Sequence, residues 1–98
     1  MNLSELYDLF VRIDKDFRMQ NPNHSCICTD TRACKAGAMF FALKGENFNG
    51  NTFAEKALQL GAAAVIIDQP EYDLKNERCI LVPNVLKTLL ENGIIQFL

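Results

Sequence analysis

The chain has 98 residues, of which 49% are hydrophobic and 22% charged, and its formal net charge at pH 7 is -2. This length and balance predict one small folded domain with a modest core, not a disordered chain. Lysine and arginine form no basic run, so we expect neither nucleic acid nor an anionic membrane as a partner. The N-terminus lacks the features of a secretory leader, and apolar runs such as residues 62–67 are too short to cross a bilayer. We therefore expect a cytoplasmic protein.

The first half of the chain contains one predicted helix and two predicted strands. Apolar residues at helical spacing predict a helix over residues 2–11, and the polar segment 14–25 is expected to be a loop. Residues 27–30 form a short strand candidate, and residues 31–37 are typical of a turn. The apolar run over residues 39–43 is too short for a stable helix and predicts a buried strand.

The second half alternates helices and strands. The predicted elements are a polar loop 45–51, a helix 53–60, a strand 63–68, a charged connection 70–77, a strand 79–82 and a final helix from residue 85. Thr52 and Asn84 are expected to cap the two helices, and Gly61 to end the first. Strand, loop, helix and strand follow one another over residues 39–68, which favours a crossover between parallel strands. We expect an α/β fold: a small, three-layer-like domain with a mostly parallel sheet and flanking helices.

Four cysteines occur, at Cys26, Cys28, Cys34 and Cys79. An even number is compatible with disulfides, but the expected cytoplasmic location favours reduced thiols. The C-x-C spacing is not the usual spacing of a zinc site, and His24 is the only histidine. We therefore expect free thiols and no metal site.

The loop that begins at Gly45 has the spacing G-x-x-x-x-G-x-T between a predicted strand and a predicted helix. Asn51 stands where a phosphate-binding P-loop needs lysine, so we reject ATP hydrolysis at this loop. The end of a strand that runs into a helix still offers backbone N–H groups to a ligand, and Asn47 and Asn49 add amide groups. The alternative is a hydrophilic connection whose glycines and asparagines serve only the turn. Spacing alone does not separate the two.

A second polar segment, residues 29–32, leaves the first predicted strand with two hydroxyls, a carboxylate and a guanidinium. Thr29 and Thr31 would share one face if the strand continues, and Asp30 and Arg32 could form a local ion pair. From these residues alone, a strand end stabilised by hydroxyl groups is the favoured interpretation. No other residue pattern indicates catalysis.

Together, residues 29–32 and residues 39–53 resemble the N-terminal domain of the Mur ligases. The similarity continues through the predicted strands near residues 64–67 and 80–82, and it covers about residues 28–90. The sequence Ala-Leu-Lys-Gly-Glu at residues 42–46 looks most like the branch that adds D-alanyl-D-alanine to UDP-N-acetylmuramoyl tripeptide. The branch that adds diaminopimelate or lysine is the near alternative.

The resemblance implies that residues 1–98 form a domain that binds a UDP-N-acetylmuramoyl-peptide and does not catalyse on its own. In this family ATP and Mg belong to a central domain, and the incoming amine to a C-terminal domain, neither of which has a counterpart here. We therefore expect no cofactor and no catalytic residue in this chain. By resemblance, eight residues are expected to contact the substrate: Thr29, Thr31, Arg32, Lys44, Glu46, Asn47, Phe48 and Asn49.

The end of the chain departs from the family pattern, because Gly93 interrupts the last predicted helix and residues 94–98 are mostly apolar. A truncated or frame-shifted member of the family would explain this. The alternative hypotheses are an interaction domain that has lost its ligand and self-associates through the apolar tail, and a generic domain that binds small anions.

Overall fold

The computed structural model describes residues 27–91 continuously and five residues before them. Those five are all helical: Asp8, Arg12, Lys15, Met19 and Gln20. The last three fall within the segment 14–25, so the loop predicted there is wrong at these positions. The sequence itself holds the reason, because Ile13 and Phe17 continue the helical spacing of apolar residues beyond residue 11. The other residues of both predicted elements lie outside the described residues.

Four parallel strands form one sheet in the order β1-β2-β3-β4. The strands are β1 (Ile27–Cys28), β2 (Met39–Phe41), β3 (Ala64–Ile67) and β4 (Cys79–Leu81). Every residue of β2 and β3 is buried, so both faces of the middle of the sheet are covered. The predicted α/β fold with a parallel sheet is confirmed.

Two α-helices follow β2 and β4: α1 (Ala54–Gln59) and α2 (Val85–Glu91). Helix α1 packs on β3 and buries Ala54 and Ala57, whose small side chains let the helix approach the sheet closely. Helix α2 adds Val85 and Leu89 to the same core. Gly61 has φ +98°, a conformation that other residues rarely adopt, and it ends α1 as predicted. Among the described residues, no helix is long and apolar enough to span a membrane.

The caps of the helices are only partly as predicted. Asn84 caps α2, since its side-chain oxygen accepts a hydrogen bond from the N–H of Lys87 at 2.8 Å. Thr52 is not a cap, because a 3-10 helix (Gly50–Phe53) precedes α1. Asn49 caps this 3-10 helix, and the hydroxyl of Thr52 donates to the carbonyl of Asn49 at 2.8 Å. Asparagine and threonine are both favoured N-cap residues, so the sequence of this polar loop did not show which of the two begins the helical backbone.

Cys28 and Cys34 form a disulfide, so the expectation of free thiols is wrong for this pair. A 3-10 helix (Thr31–Ala33) turns the chain back and brings the two Cα atoms to 5.4 Å, an ordinary distance for a bridge. Cys79 is free and buried, and burial raises the pKa of its thiol. Cys26 lies outside the described residues. Within the described part of the chain, no group of three His, Cys, Asp or Glu side chains could hold a metal ion.

Candidate functional site

A cavity of about 560 Å³ opens between the end of β1 and the loop that follows β2. We call it the β1 cavity. The side chains at its walls are Thr29, Asp30, Thr31, Arg32, Phe48, Phe53 and Lys56. Phe40 and Gly50, both buried, also line it. A volume of this size is typical of small-molecule sites, and the edge of the sheet where β1 and β2 end is where α/β proteins bind ligands.

The wall nearest β1 is a turn that an ion pair holds in shape. Strand β1 ends at Cys28, and Asp30 caps the 3-10 helix by accepting a hydrogen bond from the backbone N–H of Arg32 at 2.9 Å. The Nε and Nη2 atoms of Arg32 donate to the same carboxylate at 3.1 Å and 2.7 Å. Because β1 ends before Thr29, Thr29 and Thr31 do not share a strand face. Both residues nevertheless line the cavity.

The charge of this turn is balanced within the turn itself. Hydrogen bonds from the side chain and backbone of Arg32 lower the pKa of Asp30 from 3.8 to about 2. The predicted ion pair is therefore present and stays ionised over the usual pH range, although both side chains are solvent-exposed. Lys56 of α1 carries the other positive charge at the cavity, and no carboxylate of the described residues forms an ion pair with it.

The loop after β2 folds into a tight turn whose shape depends on two glycines. Gly45 N–H donates to the carbonyl of Phe48 at 2.9 Å, and Gly50 N–H donates to the carbonyl of Leu43 at 2.7 Å. A side chain at Gly45 would collide with the ring of Phe48, and a Cβ atom at Gly50 would lie 2.5 Å from the oxygen of Leu43. Phe48, in the turn between the two glycines, lines the cavity and is 59% exposed.

A network of side-chain amides anchors the other end of this loop. The buried amide of Asn51 donates to Asn49 Oδ1 at 2.8 Å and to Asp68 Oδ1 at 3.1 Å. Its oxygen accepts from the backbone N–H groups of Asp68 at 3.0 Å and Gln69 at 3.3 Å. The amide of Asn49 also donates to the side chain of Gln69, and Asp68 Oδ2 accepts from the N–H of Val85 at 3.0 Å. The network thus joins the loop to the end of β3 and the start of α2.

This network changes the interpretation of the glycine loop. We expected the loop to present unpaired N–H groups to a ligand, but the N–H groups of Gly45 and Gly50 bond to carbonyls, and that of Asn51 bonds to the side chain of Asn49. The donors at the start of the 3-10 helix are therefore satisfied within the protein.

A second cavity, of about 820 Å³, lies at the carboxyl ends of β2, β3 and β4, and we call it the β4 cavity. The predicted site residues are distributed between the β1 cavity and the β4 cavity. Thr29, Thr31 and Arg32 line the β1 cavity, Lys44 and Glu46 line the β4 cavity, and Phe48 lines both. The two remaining predicted residues, Asn47 and Asn49, line neither: Asn47 is exposed, and the side chain of Asn49 belongs to the amide network.

Phe53 and Lys56 of the β1 cavity were missed by the sequence analysis. Phe53 was predicted only as the first residue of the helix over residues 53–60, and the alanines of α1 fill the side that packs on the sheet. Phe53 is 44% exposed. Residues three positions apart are neighbours on a helix surface, so the spacing of Phe53 and Lys56 could have indicated that their side chains lie close together.

A family model described as the Mur ligase family, catalytic domain, matches residues 23–94. The chain belongs to the Mur ligase family. It is 45% identical over 58 residues to the UDP-N-acetylmuramoyl-tripeptide--D-alanyl-D-alanine ligase of Synechocystis, a match that covers 59% of this chain and 12% of the relative. The corresponding ligase of Bacillus subtilis is 40% identical over 68 residues, covering 64% of this chain and 14% of the relative.

Other relatives of this Mur ligase chain agree with that assignment. The 2,6-diaminopimelate ligase of Geobacillus kaustophilus is 40% identical over 50 residues, which are 51% of this chain and 10% of the relative. The MurF ligase of Thermotoga maritima, solved in complex with ADP, superposes with a TM-score of 0.61 at 29% identity, covering 67% of this chain and 15% of that one. The resemblance found in the sequence is confirmed, and this chain spans only about an eighth of the length of the curated relatives it matches.

Proposed function

We propose that this Mur ligase chain binds the uridine diphosphate part of a UDP-N-acetylmuramoyl-peptide in the β1 cavity. One observation carries the proposal: the turn at residues 29–32 and Phe48 of the following loop, which are far apart in sequence, line the same cavity. Relatives of this chain are named as ligases of UDP-N-acetylmuramoyl-tripeptide, which supplies a nucleotide ligand of fitting size.

The chemistry of the cavity suits a nucleotide. Thr29 and Thr31 offer hydroxyl groups that both donate and accept hydrogen bonds, as the base and ribose require. Phe48 offers an exposed aromatic ring for the base. A cavity of about 560 Å³ can enclose a nucleotide but not the whole muramoyl peptide, so the sugar and peptide would extend outside it.

We further propose that this part of the ligase does not catalyse on its own. The Asn51 amide, at the position where a P-loop places lysine, is used within the amide network. The loop therefore lacks the charge that would hold the phosphates of ATP. In a complete D-alanyl-D-alanine-adding ligase, ATP, a divalent metal ion and the amide-forming chemistry would belong to the part of the relatives that this chain does not match.

Titration of the 98-residue chain with UDP and with UDP-N-acetylmuramoyl tripeptide would test this function. We expect shifts in the backbone NMR signals of Thr31 and Phe48 with both ligands, and none with inorganic phosphate at the same concentration. The variant Thr31→Val keeps the shape of the side chain and removes its hydroxyl, so it should bind UDP more weakly while unfolding at a similar temperature. Absence of shifts at millimolar UDP would refute the function.

The competing hypothesis of self-association stays a prediction, because the apolar tail at residues 94–98 lies outside the described residues. Sedimentation velocity over a range of concentrations, with and without UDP, would test it. A chain that is monomeric at all concentrations and binds UDP would eliminate this alternative. A dimer that does not bind UDP would favour it over substrate binding.

A further inference from the structure

Phe53 and Lys56 line the β1 cavity, but the proposed function gives neither a role. Phe53 ends the 3-10 helix that precedes α1, and Lys56 lies one turn later on α1. Ala54 and Ala57 of the same segment are buried in the core. Phe53 and Lys56 therefore border the cavity without contributing to the packed side of the helix, and replacing either would leave the core intact.

Both phenylalanines at this cavity are exposed to solvent. The Phe48 side chain is 59% exposed and that of Phe53 is 44% exposed, and both rings line the same space. Leaving an aromatic ring in water forgoes the free energy that its burial would provide. A flat heterocyclic base is a ligand that can cover such rings, since bases stack on aromatic side chains.

The cations of the cavity are not equivalent. Arg32 directs its Nε and Nη2 atoms at the carboxylate of Asp30, so its charge is balanced within the turn. Lys56 forms no ion pair with the described residues, so its charge remains available to an anion. A lysine ammonium on a flexible chain suits phosphate oxygens, which it contacts as a point charge. The backbone N–H groups at the start of the neighbouring 3-10 helix are already satisfied and cannot replace it.

We propose that Phe53 and Lys56 select a nucleoside diphosphate: Phe53 stacks on the base beside Phe48, and Lys56 neutralises the diphosphate. The inference rests on the proposed function and deepens it, since it names the side chains that distinguish a charged nucleotide from an uncharged nucleoside. Affinity should then rise from uridine to UMP to UDP, and Lys56 should account for most of that rise.

The test measures dissociation constants of the 98-residue chain for uridine, UMP and UDP by calorimetry. Lys56→Gln should weaken UDP binding about tenfold and leave uridine binding within about twofold of the wild type. Phe53→Leu should weaken binding of all three ligands by a similar factor, about fivefold to tenfold. Lys75→Gln, which removes a lysine charge from an exposed turn outside the cavity, is the matched control and should leave all three unchanged.

The outcomes separate the inference from the function on which it rests. If Lys56→Gln weakens uridine and UDP binding equally, or neither, the charge-selecting role of Lys56 is refuted while nucleotide binding stands. If Phe53→Leu binds all three ligands as the wild type does, the stacking role is refuted. A wild-type chain that binds none of the ligands refutes the proposed function, and this inference with it. Thermal unfolding of each variant verifies that the fold is retained, since both side chains are exposed.

Discussion

Removing the amide of Asn51 should destabilise this fold more than any other single polar substitution in the loop after β2. The side chain is 1% exposed and takes part in four hydrogen bonds, two as donor and two as acceptor. The variant Asn51→Ala deletes all four. It also leaves the backbone N–H groups of Asp68 and Gln69 without the oxygen that they bond in the folded chain.

The expected loss follows from these contacts. A hydrogen bond within a protein contributes about 1 kcal/mol net, and a buried donor left without a partner costs about 1–3 kcal/mol. Water that enters the vacated space would recover part of this loss. We therefore expect Asn51→Ala to lower the free energy of unfolding by about 3–4 kcal/mol, a large share of the roughly 5–15 kcal/mol typical of a domain. The melting temperature would fall by about 15 °C or more.

Urea unfolding followed by circular dichroism measures this loss directly. Asn47→Ala is the matched control, because Asn47 is an exposed amide in the same loop and takes no part in the network. The control should change the free energy of unfolding by less than about 0.5 kcal/mol. If Asn51→Ala loses less than about 1 kcal/mol, the amide network does not hold the loop, and our account of the site's shape is refuted.

Gly50→Ala should cost about 2 kcal/mol in urea unfolding, because the added Cβ would lie 2.5 Å from a backbone oxygen; a loss below about 0.5 kcal/mol would contradict this close contact. Because Arg32 holds the pKa of Asp30 at about 2, NMR of that carboxyl group should show a midpoint near pH 2 in the wild type and a higher one in Arg32→Gln. The ion pair contributes its full stabilisation above the pKa that Asp30 has in the unfolded chain, and this contribution is lost as pH falls through about 2. Equal midpoints in both proteins would refute the ion pair. Opening the disulfide with the double variant Cys28→Ser and Cys34→Ser should lower the free energy of unfolding by about 2 kcal/mol, and alkylation of either cysteine in the unreduced wild type would disprove the bond.

The sequence predicted best those elements whose determinants are local. The run of β-branched residues in β3 and the stop at Gly61 are both visible within a few positions, and both were placed within one residue. The disulfide was not predictable in this way. Its formation depends on the turn after β1 bringing Cys34 back to Cys28, and that turn depends on the cap at Asp30.

The candidate site was predictable only in part, for a related reason. Thr29, Thr31, Arg32 and Phe48 were identified by resemblance, and the structure brings them to one cavity. Spacing along the chain did not show that Lys44 and Glu46 line a different cavity, since that depends on how the tight turn closed by Gly45 orients each residue. Phe53 was missed because helical periodicity identifies a buried stripe but not an exposed residue at its edge.

The same asparagine that excludes an ATP site also indicates how a nucleotide can be held here. In a P-loop, lysine and the N–H groups of the loop face the phosphates. In this chain Asn49 accepts from the first donors of the 3-10 helix, and Asn51 connects the loop to the end of β3. The loop therefore supplies shape instead of charge, and a phosphate in the β1 cavity must find its counter-charge on a side chain. Lys56 is the cation that the described residues leave unpaired there, so inorganic phosphate alone should bind poorly, and a base that covers Phe48 should be required for affinity.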